Sequence, residues 1–172
     1  GLYKVDPEEA EIRVGEAIRA GYRLIDTARL YGNEEGAGAA IAKSGIPREE
    51  FFVVTKVWIN HAGEENAYSS ILESLKKLGT GYADLILVHQ PFGDYYGTYR
   101  ALERALEEGL TRAIGVSNFY QDRFYDLICH CKVIPMVNQL ETNVFCQQTQ
   151  MRELMEEDGT KVMVLAPMDQ GK

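Results

Sequence analysis

Asp26 and Tyr31 stand close together in the stretch Ile25-Asp26-Thr27-Ala28-Arg29-Leu30-Tyr31-Gly32-Asn33-Glu34-Glu35. An acid and a phenol on a turn between a short apolar run and a Gly/Ala-rich helical segment can be presented together to a ligand. Lys56 ends the run Phe52-Val53-Val54-Thr55. A lysine on a strand buried on both faces is costly unless it is paired, or it snorkels to a rim. Asp26 is the natural counter-charge. A cation held there would stabilise a phenolate, lower the pKa of Tyr31 and make that hydroxyl a general acid. His89 follows Leu85-Ile86-Leu87-Val88 and reads either as a satisfied core histidine or as a neutral imidazole that orients a carbonyl oxygen. Ser117 with Asn118, and Gln139, close two further apolar runs. They fit either the cap of a helix beginning near Tyr120 or a donor and acceptor set for an amide-bearing ring, and the pattern alone leaves both open.

The elements that must hold these groups follow one rhythm. Apolar runs at residues 22–25, 52–57, 84–88, 111–116, 135–139 and 161–165 alternate with stretches of helical periodicity. One stripe is Tyr68, Ile71, Leu72, Leu75 and Leu78, stopped by Gly79; another is Ala101, Leu102, Ala105 and Leu106, stopped by Gly109. Ahead of them, Asp6 reads as the N-cap of a first helix, with Pro7 at its first position and Gly21 at its end. Alternating strands and helices imply a parallel sheet with helices outside it. A doubly wound nucleotide fold would place a glycine-rich turn after its first strand, but here Gly36 and Gly38 fall inside the helix. A barrel instead takes its chemistry from the C-terminal ends of several strands, where this sequence repeatedly sets polar residues. The expected class is therefore α/β, a (β/α)8 barrel present as an incomplete barrel of about six βα units in one domain, residues 1–172. A complete barrel typically takes about 250 residues. The sequence is accordingly expected to be part of a longer protein, partial at both ends.

Composition narrows the function classes. At 45% hydrophobic and 26% charged the chain is of ordinary globular make-up, and a net charge of −8 argues against non-specific nucleic-acid binding. No apolar run approaches the roughly 20 residues of a membrane span. Cys129, Cys131 and Cys146 read as free thiols, which makes the cytoplasm the expected compartment. Cys129-His130-Cys131 lacks the spacing of zinc pairs, so no metal site is expected. His61 and His130 read as surface residues.

Taken together, the motifs identify a resemblance. Gly21-Tyr22-Arg23-Leu24-Ile25-Asp26-Thr27-Ala28 with Tyr31-Gly32-Asn33-Glu34, then Thr55-Lys56-Val57-Trp58, Leu87-Val88-His89-Gln90-Pro91, Ala113-Ile114-Gly115-Val116-Ser117-Asn118-Phe119 and Val137-Asn138-Gln139 resemble the aldo-keto reductase family in order and spacing. The likeness is strongest to its bacterial and protist NADPH-dependent reductases. It implies reduction of aldehydes or ketones to alcohols, with a small-molecule carbonyl substrate and NADPH/NADP as cofactor. By the same resemblance Asp26, Tyr31, Lys56 and His89 form the catalytic group, with Tyr31 the proton donor. Ser117, Asn118, Gln139 and Leu165 would hold the nicotinamide, Leu165 standing where the family commonly carries tyrosine or tryptophan. Trp58 and His89 would line the substrate pocket. The alternative is a non-catalytic, cofactor-binding relative of the same fold.

Overall fold

A computed structural model describes residues 1–167. Six parallel strands run in sequence order: β1 (Leu24–Asp26), β2 (Phe52–Val57), β3 (Leu85–Val88), β4 (Ile114–Ser117), β5 (Val137–Glu141) and β6 (Lys161–Leu165). Helix α1 (Ala10–Arg19) precedes β1. Helices α2 (Glu34–Lys43), α3 (Glu64–Leu78), α4 (Tyr95–Glu107), α5 (Gln121–Ile128) and α6 (Thr149–Glu157) follow the first five strands in turn. The sheet curls into a half-barrel with the helices outside it. β3 and β4 are buried along their whole length, as parallel strands covered on both faces must be.

Two apolar clusters fill the space between sheet and helices. One joins β2, β3 and β4 to α3, α4, α5 and α6 around Ile86, Val88, Leu102, Val116 and Phe124. The other joins β1 and β2 to α1 and α2 around Val14, Ile18, Ile25, Ile41 and Val53. A third, smaller cluster of Val54, Leu85 and Leu87, with Ala113, Val137 and Met163 against it, lies on the concave face.

Several boundaries differ from the sequence reading. Helix α1 begins at Ala10, because Asp6 turns its carboxylate to the Glu8 amide (3.1 Å) and closes a separate turn instead of capping the helix. β1 begins at Leu24: Tyr22 is 66% exposed, and the Arg23 guanidinium donates back to the Ile18 and Tyr22 carbonyls. The run from Thr111 pairs regularly only from Ile114, Thr111 making an isolated bridge to Ala83, and the run from Pro135 becomes strand at Val137. Asp84 lies one residue before β3. Its buried carboxylate accepts from Arg48, Arg112 and the Val53 amide, a knot at the N-terminal end of the strands, away from the chemistry.

Helices α2 and α3 approach closely at Gly38, where a Cβ would lie 1.9 Å from the Leu78 carbonyl oxygen. The clash is with backbone, so the helices themselves must move apart. Gly38→Ala is expected to destabilise the fold by about 1–3 kcal/mol, although alanine is the better helix former. Denaturant midpoints check this, and an unchanged midpoint would mean that the two helices are not held at this spacing.

Candidate active site

Side chains alternate across a strand, so residues two apart share a face. The concave apolar layer and the polar groups above it have the same parity: Val54 then Lys56 on β2, Leu85 and Leu87 then His89 after β3, Val137 then Gln139 on β5. The register sets these rows level, with Lys56 opposite Leu87, Ser117 opposite Gln139, and Gln139 opposite Met163. The half-barrel therefore carries an apolar floor with a polar crown at the C-terminal strand ends. Asp26 belongs to that crown at the end of β1.

Lys56, only 2% exposed, is the centre of the crown. Its ammonium pairs with Asp26 Oδ1 and donates to the Thr27 carbonyl at 2.9 Å. The second oxygen of Asp26 accepts from Gln139 Nε2 at 2.8 Å, a contact that crosses the concave face from β5 to β1. Burial lowers the Lys56 pKa, and Asp26 opposes that shift.

Tyr31 stands over this pair. A single 3-10 turn, Arg29–Tyr31, closed by Gly32 at φ +69°, carries it out of β1, and its ring centroid lies 5.3 Å from Lys56 Nζ. The ring also meets Tyr3 (5.4 Å between centroids) and His89 (5.6 Å, edge-on). The phenol departs from the sequence expectation. Burial raises its pKa well above the ordinary 10.0, with Asp26 and Tyr3 adding to the rise. Lys56 is spent on Asp26, so the cation expected to depress the phenol leaves no net downward shift.

His89 is 7% exposed, its ring 4.9 Å edge-on to the half-buried Trp58. Burial and then the Lys56 cation lower its pKa from 6.5 to about 4, with Asp26 opposing. The imidazole is thus neutral at neutral pH, and its buried Nδ1 has no hydrogen-bond partner among the described residues. The unfolded chain binds more protons than the folded one between about pH 4 and 6.5. His89 should therefore subtract stability as pH falls through that window, by roughly 3 kcal/mol in total. Urea midpoints measured across the window should flatten in His89→Gln; an identical slope would place His89 in a wetter setting than the structure gives.

Ser117 and Asn118 close β4 and do not cap the next helix, whose N-cap is Tyr120 without a side-chain bond. Ser117 Oγ donates to the Gln139 carbonyl (3.1 Å). Asn118 takes the left-handed conformation (φ 62°), which asparagine tolerates, and sends its amide to the His89 carbonyl at 3.2 Å and to Ser117 Oγ at 3.1 Å. The two strand ends and the histidine are thereby locked together. Leu165 ends β6, partly exposed. A separate cavity of about 540 Å³, lined among others by Tyr120, Gln148 and Met151 at the starts of α5 and α6, includes none of these site residues.

Sequence reasoning missed the layer that holds the Tyr31 turn. Thr27 Oγ1 donates to Asn33 Oδ1 (2.7 Å), and Asn33 Nδ2 donates to the carbonyls of Leu2 (2.9 Å) and Val5 (3.0 Å). Thr55 Oγ1, on the outer face of β2, donates to Glu34 Oε1 at 2.6 Å, both residues being buried. The signal available was polarity in a stretch otherwise fit for burial: Thr27, Asn33, Glu34 and Thr55 all lie within the motifs quoted above. Tyr3, whose ring packs against Tyr31, carries no such signal in the sequence.

A parallel half-barrel that gathers a Lys–Asp pair, a tyrosine and a histidine at the C-terminal ends of its strands is of the (β/α)-barrel class. The chain belongs to the aldo/keto reductase family, whose model matches residues 2–172. It is 41% identical to the glyoxal reductase of Bacillus subtilis (strain 168), covering 100% of this chain and 63% of that protein. To the 9,11-endoperoxide prostaglandin H2 reductase of Trypanosoma cruzi it is 42% identical, over 97% of this chain and 59% of that one. Among solved structures, an aldo/keto reductase from Brucella melitensis superposes with a TM-score of 0.95 at 40% identity, covering 98% of this chain and 67% of that one. An aldo-keto reductase of Bombyx mori in complex with NADP gives 0.89 at 36%, over 95% and 58%. The chain thus spans less than two thirds of the length of the curated relatives it matches.

Proposed function

We propose that the protein reduces aldehydes or ketones to alcohols with NADPH, and that Tyr31 supplies the proton. The observation that carries this reading is the buried Lys56–Asp26 pair beneath the Tyr31 ring, with a neutral His89 beside it. The bound cofactor would supply a hydride to the carbonyl carbon. The Tyr31 O–H gives its proton to the carbonyl oxygen, and the Lys56 ammonium, 5.3 Å from the ring centroid, offsets part of the cost that burial places on the phenolate left behind. An uncharged imidazole at His89 donates a hydrogen bond that orients the same oxygen without competing for the proton. Trp58 offers the apolar wall that suits a carbonyl substrate.

The residues present fit the nicotinamide end of such a cofactor. Ser117, Asn118 and Gln139 set three polar side chains on adjoining strand ends, and Leu165 adds an apolar surface on the next strand. Their donors are partly engaged within the protein, while the Asn118 and Gln139 side-chain oxygens are hydrogen-bonded to none of the described residues. Relatives support the reading: a glyoxal reductase, and a structure in complex with NADP. Leu165 favours one alternative, a cofactor-binding relative without turnover, because leucine packs on a ring without stacking as a π-face. Loss of NADPH absorbance on mixing with a panel of reactive aldehydes and ketones supports the reductase; binding without consumption across the panel assigns the alternative.

A further inference from the structure

We propose that Asp26, besides pairing with Lys56, is a positioning residue that fixes the orientation of the Gln139 amide, so that the site selects the N–H of a carboxamide. The inference rests on the cofactor reading above and goes beyond it in saying what sets the recognition.

The two ends of a glutamine amide differ only in their hydrogen-bonding roles, so their placement follows from the partners. An ionised carboxylate accepts and never donates. Asp26 Oδ2 lies 2.8 Å from the Gln139 amide, so the atom facing it must be nitrogen. The planar amide then turns Oε1 away from Asp26. Gln139 is 3% exposed and anchored by its own backbone carbonyl, which accepts from Ser117 Oγ and from the Asn118 backbone N–H at 3.1 and 3.0 Å. Such a side chain has little freedom to reorient. A bond to a carboxylate is also about twice as strong as a neutral one, so the flipped state is strongly disfavoured.

The consequence is chemical. Gln139 presents an acceptor on the side away from Asp26, and an acceptor recognises a ligand N–H. A carboxamide satisfies it, whereas a methyl ketone of the same shape puts a methyl group where the N–H would be and leaves the acceptor without a partner. The ion pair that serves proton transfer thus also sets the polarity of the cofactor contact, through a residue 113 positions away in sequence. Replacing Asp26 by asparagine removes the constraint, since a primary amide can donate or accept and Gln139 can turn either way.

The test compares dissociation constants, by calorimetry, for NADP+ and for its 3-acetylpyridine analogue, in which a methyl ketone replaces the carboxamide. The unsubstituted protein should prefer NADP+ by about tenfold, the effect of one hydrogen bond. In the Asp26→Asn/Lys56→Met double variant the preference should fall to near one, and Gln139→Leu should lose it to the same extent. The double variant is used because it leaves no unpaired buried charge and so keeps the fold where Asp26→Asn alone would strain it. Failure of the unsubstituted protein to bind NADP+ would overturn the cofactor reading itself. Binding with no preference, or a preference that persists in the double variant, would overturn the role of Asp26 alone.

Discussion

Tyr31→Phe is expected to lower carbonyl turnover by about 10²–10⁴-fold, the range a positioned general acid contributes. The substitution removes one oxygen and little else. Burial and the charges of Asp26 and Tyr3, with no hydrogen bond, act on the Tyr31 hydroxyl, so its loss leaves no hydrogen-bond partner unsatisfied among the described residues. The ring contacts to Tyr3, His89 and the Lys56 ammonium belong to the aromatic face and survive in phenylalanine. Folding stability should therefore change by only a few tenths of a kcal/mol, as for substitutions that break no buried interaction. The nucleotide affinity should also hold, because the residues assigned to the nicotinamide lie on β4, β5 and β6. A loss confined to kcat identifies an interaction made only in the transition state. Turnover of the phenylalanine variant equal to that of the unsubstituted protein would sink the assignment of Tyr31 as proton donor.

The raised phenol shows where reading the sequence stops. The apolar runs that become β2, β3 and β4 were visible because strands covered on both faces leave continuous Val/Ile/Leu segments. The polar residues at the strand ends, Lys56, His89, Ser117 with Asn118, and Gln139, were visible for the complementary reason: each closes a mainly apolar run at its C-terminal end. Boundaries were less legible. Tyr22 and Arg23 look like strand residues, yet Tyr22 faces solvent and Arg23 is drawn back onto the end of α1. The phenol pKa was illegible because it depends on how fully Lys56 is neutralised and how deeply the ring is buried, both tertiary quantities. Gln139 with Asp26 was hidden for a related reason. Each residue was singled out, but only the curl of the sheet brings β5 across to β1, and no local pattern encodes that approach.

Asp26→Asn is expected to be the most destabilising single change at the site, by about 3–5 kcal/mol, the range for removing one member of a buried ion pair. The Lys56 side chain is 1% exposed, so its ammonium has no recourse to water. The Thr27 carbonyl remains as a partner, but it carries no charge. The loss should depend on pH in a direction that the pair dictates. Burial already lowers Lys56 from the ordinary 10.5, and Asp26 is what opposes the fall. Without Asp26, Lys56 falls further, and the folded state binds fewer protons than the unfolded chain from that lower value up to about 10.5. Stability of the variant should therefore rise as pH is raised through that window, because the buried lysine is increasingly neutral. The unsubstituted protein, with less of a shift, should recover less. Adding Lys56→Met to the variant removes the stranded charge and should restore most of the stability at neutral pH, since paired charges replaced together by apolar groups are often neutral in effect. It should also abolish the alkaline recovery. Thermal unfolding of the single and double variants between neutral and alkaline pH measures both effects. A single variant whose deficit is constant with pH would mean that Lys56 is not held as a buried cation by Asp26.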